Sequence, residues 1–306
     1  MFLRLATRGS TLALTQSGHV AAALTALGHQ VELVKVTTQG DVSSQPLASL
    51  GGVGVFVAAV REAVVAGDAD LAVHSFKDLP TADAPGLTVA ATPKRADPAD
   101  VICTRNGLGL AHLPSGAKVG TGSARRAAQL LALRPDVEIC EIRGNVETRL
   151  ARIDKDLDAV LLAAAGLARL RLDAAVAERL DPSEFLPAPA QGALAVECLA
   201  DADPVVRALT QLDHRPTRLA ALAERAVLAR LGAGCAAPVG AYATTSTTGL
   251  TLRAIVAAPD GSRCLRVQGS ADLDVTACQA LGRQLAEELL VQGAAELAGV
   301  DPKAEP

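Results

Sequence analysis

Two arginine-bearing stretches contain the residues best suited to bind an anion. Residues 120–126 (GTGSARR) and 142–149 (IRGNVETR) each predict the start of a helix, with Ser123 and Asn145 as N-caps. A helix N-terminus already carries about half a positive charge, so arginines beside it need an anion close by. Exposed N–H groups and guanidinium forks bind carboxylates or phosphates. For each arginine, either a bound ligand or an acid elsewhere in the fold could supply that anion. The arginines concerned are Arg125, Arg126, Arg143 and Arg149.

The distribution of charge favours a small anionic ligand over a nucleic acid. The chain has 306 residues, a formal net charge of −4 and only 2% aromatic residues. An acidic protein with few stacking side chains is not expected to bind a nucleic-acid polyanion. Residues 115–152, however, contain seven Lys/Arg against four Asp/Glu. The positive field is therefore local.

Two turns nearer the N-terminus place polar side chains after predicted strands. Residues 7–10 (TRGS) follow the first strand, and residues 74–80 (HSFKDLP) follow an apolar strand at 70–74. Open α/β folds bind ligands at the carboxyl ends of their strands, although caps and turns use the same residue types. Asp78 is thus either a turn-stabilising carboxylate or the one acid facing a cationic centre. The other candidates here are Arg8, Ser10, Ser75 and Lys77.

One of the six cysteines differs from the others in its surroundings. Cys235 lies in a glycine-rich loop, residues 232–240 (GAGCAAPVG), between a predicted long helix and a strand. It fits a buried loop thiol and a reactive thiol equally well. Cys103, Cys140 and Cys198 lie in apolar runs and are predicted to be core residues. The cysteines show no Cys-x-x-Cys spacing, so no metal site is expected.

Strands and helices must position these residues, and the sequence indicates both. Short apolar runs typical of strands alternate with segments of helical periodicity, which predicts an α/β fold. A Pro-, Ala- and Asp-rich loop at 93–100 separates two such α/β units. Residues 186–192 (LPAPAQG) predict a stiff connection or hinge, and a strand at 193–197 is expected to return to the first unit. A long helix at 215–231 opens a smaller α+β region.

The start of the chain and its hydropathy favour a cytoplasmic protein with no membrane contact. The first eight residues, MFLRLATR, lack the apolar core and cleavage site of a secretory signal. No stretch approaches 18 uninterrupted residues of membrane-grade hydrophobicity. We therefore expect reduced thiols as well.

Seven motifs in this order resemble the porphobilinogen deaminase family, also called hydroxymethylbilane synthases. They are residues 6–10 (ATRGS), 74–80, 120–126, 142–149, 165–169 (AGLAR), 189–194 (PAQGAL) and 234–240 (GCAAPVG). The resemblance implies two lobes like those of periplasmic solute-binding proteins, with an active cleft between them, and a smaller α+β C-terminal domain. The expected domains are residues 1–98 with 193–212, residues 99–192 ending in the hinge 186–192, and residues 213–306.

The resemblance also implies a transferase activity and a covalent cofactor. A dipyrromethane would be joined by a thioether to Cys235, and four porphobilinogen molecules would be added head to tail with loss of ammonia. Hydrolysis would release hydroxymethylbilane for tetrapyrrole and heme synthesis. Asp78 would be catalytic, stabilising the cation formed when ammonia leaves. The residues implied to bind cofactor and substrate are Arg8, Ser10, Ser75, Lys77, Thr121, Ser123, Arg125, Arg126, Arg143, Gly144, Asn145, Arg149, Arg169 and Gln191.

The implied partners are small molecules and one further enzyme. The family suggests a monomer that hands its product to uroporphyrinogen-III synthase, without metal or nucleotide.

The sequence departs from the family pattern at two places. Residues 47–56 (LASLGGVGVF) have no lysine where many relatives do, and Gln39 stands where arginine is common. No charged role is assigned to this loop. A two-lobed anion receptor and a ligand-sensing regulator are the alternative functions.

Overall fold

The computed structural model describes residues 1–36, 54–234 and 237–300, with side chains described from residue 57 onward in the second range. Cys235 lies outside these ranges, as do Gln39 and residues 47–53 of the lysine-free loop. The chain divides into two compact units. Unit 1 is Met1–Arg95 with Ala193–Arg218, and unit 2 is Ala96–Gly192 with Leu219–Pro306.

The described residues form thirteen strands, in three sheets. In chain order the strands are β1 (Phe2–Arg8), β2 (Gln30–Val36), β3 (Leu71–Ser75), β4 (Leu87–Ala91), β5 (Asp100–Thr104), β6 (Lys118–Gly120), β7 (Glu138–Cys140), β8 (Ala159–Ala163), β9 (Glu178–Arg179), β10 (Leu194–Leu199), β11 (Val239–Thr245), β12 (Leu250–Ala257) and β13 (Cys264–Ala271). The α-helices are α1 (Thr11–Ala26), α2 (Gly54–Val65), α3 (Ala124–Leu133), α4 (Val146–Leu150), α5 (Ala164–Leu170), α6 (Asp203–Thr210), α7 (Arg215–Arg230), α8 (Val275–Val291) and α9 (Ala294–Ala298).

Unit 1 is built on a mixed sheet with the strand order β2-β1-β3-β10-β4. Strand β1 pairs in parallel with β2 and β3, whereas β10 runs antiparallel to both β3 and β4. On one face, Leu3 and Leu5 of β1 pack with Val20 and Leu24 of α1. The opposite face carries small alanines at the corresponding strand positions, which leaves room for the branched side chains of α2. The carboxyl ends of β1 and β3 therefore lie side by side between α1 and α2.

Unit 2 contains a second mixed sheet and a separate antiparallel sheet. The mixed sheet has the order β7-β6-β8-β5-β9, with β6 parallel to β7 and β8, and with β5 antiparallel to β8 and β9. Strands β11, β12 and β13 form an antiparallel meander whose buried face packs against α7 and α8. The predicted fold class, α/β with a smaller α+β part, is confirmed. Among the described residues, no helix is both long and apolar enough to cross a bilayer.

Several boundaries and elements differ from the sequence-based expectations. The pattern of residues 137–142 predicts a strand over that whole range, but β7 is limited to Glu138–Cys140. The chain then turns at Gly144, whose φ is +101°. Strand β4 and helix α6 were not predicted; they are short, at five and eight residues. The structure divides after Arg95 and after Arg218, so the three domains expected from the resemblance stay a prediction.

Helix α8 approaches α7 closely at one glycine. A Cβ at Gly282 would lie 2.3 Å from the Ala223 carbonyl oxygen and 2.7 Å from the Cβ of Ala226. The nearest atom, the Ala223 carbonyl oxygen, belongs to the backbone and cannot move aside as the end of a flexible side chain could. The two helices would therefore have to move apart.

We therefore expect Gly282→Ala to destabilise the protein by about 1–3 kcal/mol, because overpacking outweighs the gain in helix propensity. The matched control is Gly18→Ala in α1, where an added Cβ would meet nothing within 4 Å. That change should be neutral or stabilising by up to about 1 kcal/mol. Urea unfolding of the two variants measures the contrast, and equal stabilities would contradict the packing described.

Candidate active site

A cavity of about 250 Å³ lies in unit 1 at the carboxyl ends of β1 and β3. Arg8 enters it from the last position of β1, and Ser75 from the last position of β3. Apolar side chains of α2 and β3 form part of the wall, so water is partly excluded. The lining residues are Arg8, Ala13, Gln16, Val57, Val60, Val73, His74, Ser75 and Asp78. The structure thus brings together three residues that the sequence placed on two separate turns.

Asp78 is positioned by a short turn with two buried anchors. Residues Phe76–Asp78 form one turn of 3-10 helix directly after β3. The side chains of Phe76 and Leu79 on either side are 3% and 4% exposed, respectively, and the Phe76 N–H donates to the Ala193 carbonyl oxygen at 3.1 Å. The carboxylate is therefore held at the cavity by the packing of its neighbours. Lys77, between them, is half-buried.

Helix α1 fixes the polar groups on the other side of this cavity. Ser10 is its N-cap, and its hydroxyl accepts the Ala13 N–H at 3.3 Å. Gln16, one turn further on, donates from Nε2 to the Ser75 hydroxyl at 2.8 Å. Gln16 was not predicted as a site residue. Its only signal is a polar side chain at a position that α1 buries, next to the buried Ser17.

In unit 2, Arg125 and Arg126 already have an internal anion. Asp100, at the start of β5, is fully buried, and its Oδ2 accepts from Arg125 Nη1 at 2.6 Å. Its Oδ1 accepts from Arg126 Nε at 2.9 Å and from Gln191 Nε2 at 2.9 Å. Burial acts to raise the pKa of Asp100, but the two guanidinium groups hold it below its ordinary value. Of the two sources left open for these arginines, a bound ligand or an acid elsewhere in the fold, the structure shows the acid, which is Asp100.

Asp100 does not balance all of the positive charge around it. Two arginines share one carboxylate, which leaves a surplus of one unit. Arg149 donates from Nε to the Gly144 carbonyl oxygen at 2.9 Å, and Arg169 donates from Nη2 to the Gly192 carbonyl oxygen at 2.8 Å. Neither arginine forms an ion pair with a carboxylate of the described residues. Burial lowers the pKa of Arg149, and the charges of Arg126 and Arg143 lower it further. Such a field favours an added anion.

The remaining predicted residues hold the backbone of this region. Ser123 and Asn145 are the N-caps of α3 and α4, as predicted, accepting the N–H groups of residues 126 and 148. Thr121 is buried, and its hydroxyl accepts the Ser123 N–H at 3.2 Å. Gly144 adopts a positive φ, and a Cβ there would contact Thr148 at 3.0 Å. Arg143 is exposed and pairs with Glu141 at 2.7 Å, an interaction that solvent screens.

Two of the described cysteines, Cys103 and Cys198, are poor nucleophiles. Burial raises the pKa of Cys103 and of Cys198 to about 11, so both thiols stay protonated at neutral pH. Burial also raises the pKa of Cys140. This cysteine was predicted to be a core residue, but it is only half-buried. Cys235 lies outside the described residues, so its role stays a prediction.

Comparison with protein families gives two matches that together span most of the chain. The family described as "Porphobilinogen deaminase, dipyromethane cofactor binding domain" matches residues 3–207. The family described as "Porphobilinogen deaminase, C-terminal domain" matches residues 218–291.

Similar proteins agree with these matches. A porphobilinogen deaminase of Cutibacterium acnes is 54% identical, covering 97% of this chain and 96% of that protein. One of Thermobifida fusca is 53% identical, covering 96% of this chain and 95% of that protein. Among solved structures, a periplasmic substrate-binding protein of an ABC transporter from Coxiella burnetii aligns with 16% identity and a TM-score of 0.42, over 73% of this chain and 96% of that one.

The shared carboxylate gives a stability prediction. Asp100→Asn should lower the free energy of unfolding by about 3–5 kcal/mol, because two buried guanidinium groups lose their counter-ion. Since the pKa of Asp100 is lowered in the folded protein, its contribution is complete above the ordinary value of 3.8 and is lost as the pH falls below it. The variant should therefore lose less stability on acidification than the unaltered protein.

The matched control is Asp97→Asn, three residues earlier. Asp97 pairs with Arg179 at 2.6 Å in a partly exposed position, so its loss should cost about 1 kcal/mol or less. Urea unfolding of both variants at neutral pH and under acidic conditions measures the difference. Equal losses in the two variants would contradict the role given to Asp100.

Proposed function

The chain belongs to the porphobilinogen deaminase family, and from that premise we propose that it is a hydroxymethylbilane synthase. It joins four porphobilinogen molecules head to tail on a dipyrromethane primer, releases one ammonia for each, and frees the linear tetrapyrrole by hydrolysis. The family matches over residues 3–207 and 218–291 carry this proposal. The cavity that holds Arg8, Ser75 and Asp78 supports it, because the substrate has both carboxylates and a leaving amine.

The residues of unit 2 fit a polyacidic cofactor. The surplus charge around Asp100, together with Arg149 and Arg169, provides cations without a described carboxylate of their own. A guanidinium fork binds a carboxylate through two parallel hydrogen bonds. We assign the carboxylate contacts to Arg149, Arg169 and the exposed Arg143, with the N-capped turns before α3 and α4 supporting them. When bound, the dipyrromethane supplies the free pyrrole carbon to which the first substrate is joined.

Arg125 and Arg126 have a less direct part in this proposal. Their side chains are only 4% and 6% exposed and are held by Asp100 and by backbone carbonyl groups. They supply the positive potential of the region, while more exposed cations make the contacts. Gln191 acts in the same way, because its amide is bonded to Asp100.

Asp78 is the catalytic carboxylate of the proposal. Loss of ammonia from porphobilinogen leaves a positive charge delocalised over the pyrrole ring. A carboxylate fixed before the reaction begins stabilises that charge without reorganising, and the apolar walls at Val57, Val60 and Val73 strengthen the interaction. Arg8 on the same cavity binds a carboxylate of the substrate, which orients the ring. Ser10, Ser75 and Lys77 support this binding.

We extend the proposal to the organisation and surroundings of the enzyme. The domains are residues 1–98 with 193–212, residues 99–192 and residues 213–306, with residues 186–192 as the hinge. The enzyme works as a cytoplasmic monomer, and its product passes to uroporphyrinogen-III synthase. These assignments follow from the resemblance of the sequence motifs to the family.

The covalent cofactor gives a prediction in mass. The intact protein should exceed the polypeptide mass by two pyrrole units, and Cys235→Ser should remove the excess entirely, because the thioether has lost its sulfur. The matched control is Cys264→Ser, a partly buried cysteine that should keep the excess. Mass spectrometry of the three proteins measures this. A bare polypeptide mass for the unaltered protein would instead fit an anion receptor.

The catalytic carboxylate gives a prediction in rate. Asp78→Asn should keep the fold and the mass excess but lower kcat by about 10² to 10³, because a preorganised charge is lost from the reacting centre. Asp83→Asn, an exposed carboxylate five residues further on, is the control and should leave kcat unchanged. Consumption of porphobilinogen under saturating substrate measures both. An Asp78→Asn enzyme of normal turnover would remove Asp78 from the mechanism.

A further inference from the structure

A buried cluster of three charged or titratable side chains lies directly behind the unit 1 cavity. Its members are Arg61 of α2, His74 of β3 and Glu197 of β10. Residues on β3 alternate between the two sheet faces, and His74 follows Ala72 on the face that packs against α2. Glu197 is paired directly with Ala72 and so shares that face.

Arg61 and Glu197 form a complete ion pair without help from His74. The Nε and Nη2 of Arg61 donate to the two oxygens of Glu197 at 2.9 and 2.8 Å, respectively. Glu197 is 2% exposed, and burial acts to raise its pKa, but interactions with His74 and Arg61 lower it to about 2. The carboxylate is therefore ionised throughout the working range of pH. The guanidinium group of Arg61 opposes its charge.

His74 is the member of the cluster that reaches the cavity. Its ring is almost entirely buried, it contributes to the cavity wall, and its Nε2 lies 3.3 Å from Glu197 Oε2. A neutral imidazole has one donor and one acceptor nitrogen. Nε2 makes no hydrogen bond of good geometry, so its contact with the ionised carboxylate is electrostatic. That charge favours a proton on Nε2, which leaves the lone pair of Nδ1 available. A carboxylate behind a histidine in this way fixes the tautomer and stabilises the imidazolium that forms when a proton arrives.

The condensation needs such an acceptor. A carbon–carbon bond forms between the methylene carbon of one porphobilinogen and the free α-carbon of another pyrrole ring, and the carbon–nitrogen bond of the amine breaks. The amine, protonated as an ammonium group, leaves as neutral ammonia with the bonding electrons, and the α-carbon then gives up its proton. If Asp78 took that proton, it would lose the charge that stabilises the cation. Two groups with separate tasks avoid this conflict.

We propose that His74, oriented by Glu197 and Arg61, accepts the proton released by each condensation at Nδ1, while Asp78 stays ionised. This inference rests on the proposed function. Charged groups reach the ring's surroundings from each neighbouring element: Glu197 from β10, Arg61 from α2, Arg8 from the end of β1, and Asp78 from the turn after β3. The imidazolium is therefore formed 3.3 Å from one carboxylate, on a cavity whose wall also holds Asp78.

The test uses the holoenzyme and His74→Gln, which keeps a polar amide near Glu197 but cannot take up a proton. We expect kcat to fall by about 10² to 10⁴, since that is the range for general acid–base catalysis. With porphobilinogen deuterated at its free α-carbon, the isotope effect on turnover should rise above that of the unaltered enzyme, because proton removal becomes slower. His19→Gln, on the exposed face of α1, is the control and should change neither quantity.

A second readout does not depend on turnover. The chain has five histidines, so the imidazole ¹⁵N spectrum of the holoenzyme can be assigned to His74 by comparison with His74→Gln. We expect a ring protonated at Nε2 with a free Nδ1, and Glu197→Gln should weaken that preference and also raise the isotope effect. Glu197→Gln retains the imidazole, so it decides the question if His74→Gln fails to fold.

Three results would overturn the proposal, each in a folded protein that carries the two-pyrrole mass. They are normal turnover with an unchanged isotope effect in His74→Gln, the same result in Glu197→Gln, and a ring protonated at Nδ1. Failure of the proposed function is a different outcome, because the unaltered protein would then neither carry the added mass nor consume porphobilinogen.

Discussion

The burial of Asp100 is the constraint on which the architecture of unit 2 depends. A carboxylate without access to water is tolerated only when its oxygens are fully bonded and its charge is opposed. Arg125, Arg126 and Gln191 meet both conditions. The same contacts reach the segment 186–192 at both ends, because Arg125 also donates to the Leu186 carbonyl oxygen at 2.6 Å. One buried group thus fixes the start of β5, the first turn of α3 and the ends of that segment.

The arginines of the chain divide into groups with different physical roles. Those paired with buried carboxylates, such as Arg125 with Asp100 and Arg61 with Glu197, hold strands and helices together. Those paired at the surface contribute little because solvent screens them. Arg149 and Arg169 fall in neither group, since they are partly buried and bonded to carbonyl oxygens rather than to described carboxylates. This last arrangement leaves a cation with a strong tendency to bind an external anion.

The sequence predicted those features whose signals are local. The N-caps Ser123 and Asn145 act on N–H groups three residues away, and the apolar runs that became strands are continuous. The buried role of Asp100 is not visible in the sequence, which predicts only a loop residue there. Its partners Arg125 and Gln191 lie 25 and 91 residues away along the chain. The pair of Arg61 and Glu197 is separated by 136 residues and was missed for the same reason. Spacing along a chain does not reveal which distant elements will share a buried charge.

The position of β10 in the sheet of unit 1 has a consequence for synthesis. Strand β4 has β10 as its sheet neighbour, and β10 begins at Leu194, after all of the residues 96–192. In a nascent chain, the backbone groups of β3 and β4 that will pair with β10 therefore lack their hydrogen-bond partners while about a hundred intervening residues are made. Non-local pairing of this kind slows folding and exposes strand edges to aggregation. The N-terminal sheet is thus completed late in translation, and chaperones that shield open strand edges would act on the chain during that interval.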